Sequence, residues 1–114
     1  LGGIEHYEQA LVISREIGDR RGESTDLGNL GTAYYSLGDV RRAIENYEQA
    51  LVISRAIGDR RGEGHHLGNL GLAYENLGDV QEAVRLWQQA MAIFEAIESP
   101  HAATVAGWLQ QASS

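Results

Sequence analysis

LGNLGTAYYSLGDV (residues 27–40) returns as LGNLGLAYENLGDV (residues 67–80). Each copy places two glycines inside what otherwise reads as a helix. A glycine in a helix interior costs about 1 kcal/mol relative to alanine, so a chain that repeats the choice has a use for bare backbone there. The interval is 40 residues and extends well beyond this stretch. IEHYEQALVISREIGDRRGE from Ile4 matches IENYEQALVISRAIGDRRGE from Ile44, and over residues 4–40 the copies differ only at 6, 16, 24, 25, 26, 32, 35 and 36. Self-similarity at a fixed period marks a tandem array of supersecondary units.

Each unit divides into two helices. Val40, Ala43, Ile44, Tyr47, Ala50, Leu51 and Ile57 fall on one helical face, as do Leu27, Leu30, Tyr34 and Leu37 with Ala33 beside them. Gly-Asp separates the helices at residues 18–19, 38–39, 58–59 and 78–79. The glycine can close one helix in the left-handed conformation. The aspartate can cap the next and suits its positive end. So short a link makes antiparallel neighbours. The expected helices are 3–17, 20–36, 40–57, 60–76, 80–98 and 100–112, with Ser99 as cap and Pro100 as first residue of the last.

The architecture implied is all-α: a right-handed α-solenoid of antiparallel helix pairs. Residues 1–18 form the second helix of an incomplete repeat, 19–58 and 59–98 two full repeats, and 99–114 a divergent capping helix. That last helix carries Ala102, Val105, Ala106, Trp108 and Leu109 but no LGNLG, as suits the covering of a final core face. Trp87 stands in the place of Tyr47, and Phe94 in that of Ser54. Both tryptophans read as core.

Composition excludes several functions. The formal charge of -7 opposes nucleic-acid binding, which needs a basic face. With no cysteine, disulfides and thiolate metal sites are excluded. No apolar run can span a bilayer, so no membrane partner is expected. No leader is recognisable. The chain begins at Leu1 and reads as a piece of a longer, soluble, cytoplasmic protein. His65 and His66 point about 100° apart on a helix and cannot easily share a metal. No HExxH, GxSxG or P-loop spacing occurs. The paired carboxylates Glu5/Glu8 and Glu45/Glu48 lie on outward faces, where nothing raises a pKa for acid–base work. No enzyme activity, cofactor or metal is expected.

Leu27, Leu30, Gly31, Tyr34, Ala43, Tyr47 and Ala50, repeated as Leu67, Leu70, Gly71, Tyr74, Ala83, Trp87 and Ala90, resemble the tetratricopeptide-repeat pattern. The chain departs from that pattern in three ways: leucine replaces the leading tryptophan, Arg55 and Glu95 replace the closing proline, and the period is longer than the usual ~34. Long repeats of this kind are similar to the Leu-Gly-Asn type of cell-polarity adaptors, to kinesin light chains, and to bacterial signalling proteins carrying an NTPase module. The resemblance implies that first helices line a concave groove bearing Thr25, Gly28, Asn29, Thr32, Tyr35 and Ser36, then His65, Gly68, Asn69, Leu72, Glu75 and Asn76.

Gly31 and Gly71 lie on the apolar face and let the partner helix approach closely. Gly28 and Gly68 either leave room for a ligand's backbone or relieve crowding between successive first helices. Asparagine is a poor mid-helix residue, but its amide can pair with any peptide main chain. Asn29 and Asn69 are therefore the leading ligand contacts. The alternative is an amide bonded to a neighbouring helix. The mismatches Thr25/His65, Thr32/Leu72, Tyr35/Glu75 and Ser36/Asn76 read as a surface free to specialise. Arg20, Arg21, Arg60 and Arg61 are candidate contacts for acidic ligand groups, or solvated arginines pairing with Glu23, Glu63 or a neighbouring aspartate.

The leading function is a protein-interaction scaffold that binds a peptide segment of a partner in the groove. One alternative is self-association into a homo-oligomer through the incomplete terminal repeats. Another is a consensus-like or engineered array with no ligand.

Overall fold

The computed structural model describes residues 2–113. Its helices are α1 (Gly2–Ile17), α2 (Arg20–Ser36), α3 (Val40–Ile57), α4 (Arg60–Asn76), α5 (Val80–Ala96) and α6 (His101–Ser113). Local chemistry sets these bounds. Asp19, Asp39, Asp59 and Asp79 each accept a hydrogen bond from the backbone N–H three residues on. Gly18, Gly38, Gly58 and Gly78 take φ between 72° and 85°. Behind each glycine the chain folds back, as in Asp39 N–H to the Tyr34 carbonyl at 2.9 Å, and so satisfies carbonyls the helix end leaves open.

The last turn differs from expectation. α5 stops at Ala96, not residue 98, and α6 starts at His101, not Pro100. Glu98 occupies the position of Gly58 and takes the same left-handed conformation, φ 56°, so the helix must end before it. Ser99 Oγ accepts from the His101 N–H at 3.2 Å, leaving Pro100 in the turn ahead of the helix. A side chain in this conformation costs about 1 kcal/mol or more, which glycine avoids while losing part of the gain to unfolded-state freedom. Glu98→Gly is expected to stabilise the protein by about 0.5 kcal/mol, read as a raised urea midpoint with an unchanged slope.

Consecutive helices pack against each other along the chain, and α2 also touches α4 directly. The molecule is a slab of 44 × 31 × 19 Å. Leu27, Leu30, Ala43, Tyr47 and Ala50 are buried, as are their counterparts Leu67, Leu70, Ala83, Trp87 and Ala90. Full burial stabilises each large side chain by about 1.5–3 kcal/mol, and the repeated pattern is thus a core pattern. Close approach explains one glycine of each pair. A Cβ on Gly31 would lie 2.6 Å from Tyr47 Cε1, and one on Gly71 would strike the Trp87 indole nitrogen.

Candidate functional site

Between α2 and α4 lies a cleft of about 330 Å³. α2 contributes Ser24, Thr25, Gly28, Asn29 and Thr32; α4 and its cap contribute Asp59, Gly62, His65, His66 and Asn69. Asn29 and Asn69 are half-buried in its walls, and among the described residues neither amide has a hydrogen-bond partner. The repeat places them one above the other, because both occupy the same position on successive first helices.

The cleft has a polar seam beneath it. Ser24 Oγ donates to the Ala50 carbonyl at 3.0 Å and also meets Ser54 Oγ at 2.9 Å and His66 Nε2 at 3.0 Å. A hydroxyl has one proton, and a carbonyl can only accept. Ser54 and His66 must therefore donate to Ser24, which fixes the His66 proton on Nε2. Nδ1 is left as a buried acceptor without a partner. Burial, reinforced by the neighbouring His65, pulls the His66 pKa down to about 4. His66 also answers the question of Gly28. A Cβ there would sit 2.8 Å from His66 Cε1, so this glycine relieves crowding between successive first helices.

The second repeat does not extend the cleft. α6 lays Trp108 over Gly68, with Cζ3 at 3.5 Å from a Cβ position there. Only a recess of about 50 Å³ remains between α4 and α6, where Gly68 is joined by His65 and Asn69. Of the expected groove residues, Thr25, Gly28, Asn29, Thr32, His65 and Asn69 line the main cleft. Tyr35 and Leu72 pack against the core. Ser36, Glu75 and Asn76 are exposed near the C-terminal ends of α2 and α4.

Two mismatches between the copies are coupled to changes at the residues they touch. Thr32 meets the Tyr47 hydroxyl at 2.9 Å and donates to the Gly28 carbonyl at 3.2 Å. In the second copy Leu72 has no hydroxyl, and Trp87 Nε1 donates to the Gly68 carbonyl directly, at 3.1 Å. Ser24 meets Ser54 in one seam. In the next, Gly64 leaves space for Phe94, whose Cε1 lies 2.6 Å from a Cβ position on Gly64. Extending the copy-to-copy comparison through α3 and α5 pairs these changes.

Arg20 and Arg15 hold Glu23, and Arg60 and Arg55 hold Glu63. Arg21 reaches Asp59 at 3.1 Å. Burial, followed by His101 and the exposed Arg61, lowers the His65 pKa. The His65 ring meets His101 edge-on, with centroids 4.5 Å apart, a contact that sequence spacing could not show. Among the described residues no group of three or more His, Cys, Asp or Glu could hold a metal ion. No described helix is long and apolar enough to cross a membrane.

Residues 2–56 and 64–101 match models of the tetratricopeptide repeat. Among solved structures, the chain is similar to a putative kinesin light chain from Podosopora anserina with nearly identical TPR-like repeats. The TM-score is 0.80 at 27% identity, covering 96% of this chain and 55% of that one. It is also similar to BtubC (BKLC) from P. vanneervenii, with a TM-score of 0.74 at 26% identity, covering 96% of this chain and 51% of that one. The chain thus spans about half the length of the structures it matches. Comparison with curated proteins gave no match.

Proposed function

We propose, from the premise that this chain belongs to the tetratricopeptide-repeat family, that its α2–α4 cleft holds an extended peptide segment of a protein partner. Repeats of this kind are scaffolds for protein interactions. One observation carries the finer reading: Asn29 and Asn69 line the same cleft, and both amides are free of hydrogen bonds to the described residues. An asparagine kept in mid-helix against its propensity, and not used by the fold, is available to a ligand. Its amide offers donors and an acceptor, matching the N–H and C=O of a peptide group whatever the side chains. Two such amides on successive helices can hold main chain at two points and leave sequence preference to Thr25, His65 and the cleft floor.

The test uses peptides selected from a displayed random library against the intact chain. Each lost amide contact should cost about 1–1.5 kcal/mol. The double variant Asn29→Ala/Asn69→Ala should therefore bind about 30–150-fold more weakly. Alanine is the better helix former, so the same variant should melt no lower than the parent. Undiminished binding would remove the amides from the site. Binding lost together with folding would give them a structural role instead.

A further inference from the structure

Asn29 and Asn69 stand at the same place in successive copies, so the spacing of their helices sets the spacing of their amides. α2 and α4 are in direct contact, and packed helices hold their axes about 8–10 Å apart. Asparagine is short, with two side-chain torsions, so each amide stays close to its own helix. Two equivalent amides, neither with a hydrogen-bond partner among the described residues, therefore stand roughly 9 Å apart along the cleft.

A ligand gripped by both amides must repeat its main chain at that interval. A β-strand does not. Its carbonyls return to one side after about 6.5 Å and again after about 13 Å, and at three residues, about 10 Å, they point to the opposite side. An α-helix has its carbonyls bonded internally. Polyproline II has three residues per turn at a rise of about 3.1 Å each, so equivalent carbonyls recur on one side every ~9.3 Å, and none is used within the helix.

The rest of the cleft suits such a segment. Of the residues lining it, only Asp59 carries a formal charge at neutral pH, and its carboxylate already receives Arg21 at 3.1 Å and the Gly62 N–H. Burial keeps the pKa values of His65 and His66 below the ordinary value, so both rings are uncharged at neutral pH. No lining group is left to select a charged side chain. Trp108 lies over Gly68 and beside Asn69. It is half-buried, and its open ring surface can take pyrrolidine rings, as aromatic surfaces do in polyproline-binding grooves.

We propose that the main chain held by Asn29 and Asn69 is that of a proline-rich segment in the polyproline II conformation, with carbonyls three residues apart on the two amides. This rests on the reading of the cleft as a peptide site.

The probe is fluorescein-labelled decaproline, titrated with the 114-residue chain and followed by anisotropy. A glycine-serine peptide of equal length is the control. Decaproline offers carbonyls in its interior but no N–H, so donors such as the asparagine NH₂ must hold it. Saturable binding is expected. The control has the same carbonyls but must be ordered on binding, and it should bind at least tenfold more weakly. Asn29→Ala/Asn69→Ala should weaken decaproline binding at least tenfold without lowering the melting temperature. Decaproline that fails to bind, or binds no better than the control, would overturn the proposal. The cleft's function would survive that result if library-selected peptides still bind through both amides, and would fall with it if they do not. Decaproline binding undiminished in the double variant would also overturn the proposal, by placing the proline-binding surface elsewhere.

Discussion

Gly71→Ala is expected to destabilise the protein by about 2–3 kcal/mol, although it improves helix propensity by about 1 kcal/mol. The added methyl would coincide with the Trp87 indole nitrogen. Trp87 is 1% exposed and bonds the Gly68 carbonyl, so it cannot retreat without leaving a buried N–H unpaired. Overpacking of this kind costs about 1–3 kcal/mol, and the lost hydrogen bond adds about 1–3. For a domain of this length the melting temperature should fall by roughly 10 °C or more. The contrast lies three residues away. A Cβ on Gly68 meets Trp108 Cζ3 at an ordinary 3.5 Å, so Gly68→Ala should be neutral or stabilising by up to about 1 kcal/mol. Thermal melts of the two variants should move in opposite directions, or leave Gly68→Ala unmoved. Equal losses would mean that both glycines serve the same role.

Acid should weaken the fold through His66. The unfolded imidazole takes its proton near the ordinary value of 6.5, whereas the folded one does so only near 4. Between those values the unfolded state binds more protons, so stability falls as pH drops through the window. A difference of this size corresponds to about 3 kcal/mol, at 1.36 per pH unit. His65, also lowered by burial, acts in the same direction. His66→Gln keeps a donor for Ser24 but cannot titrate. Urea melts at pH 7, 5.5 and 4 should show the parent losing stability faster than the variant. Parallel loss would assign the acid sensitivity to the carboxylates instead.

Most of the fold was legible because its causes are local and repeated. Gly-Asp at each of four junctions supplies a left-handed stop and a cap, and the four helices that follow those junctions start at the expected residue for that reason. The last junction misled because Glu98 sits where the copies have glycine. α6 misled for a related reason. It is not a copy, so adding 40 to a residue number does not locate its side chains, and Trp108 closes a groove that repetition alone extends. Asn29 and Asn69 could be placed from the sequence, since period and helix face suffice. The role of His66 could not, although the Asp26/His66 mismatch was in plain view. Its meaning depends on Ser24 and Ser54, which are brought to it from different helices. Thr32 does line the cleft, but the coupling of Thr32/Leu72 to Tyr47/Trp87 was not legible because that partner change lies on the next helix.

The central claim is that successive first helices present two unengaged amides to a shared cleft. Side-chain NH₂ resonances of Asn29 and Asn69 report on it directly, in a ¹⁵N–¹H titration of the 114-residue chain with a library-selected peptide. Both pairs should shift with the bound fraction, together with backbone signals of Thr25 and His65, while Ile13 and Val12 stay still. A peptide that saturates the chain while both NH₂ pairs remain unmoved would contradict the account.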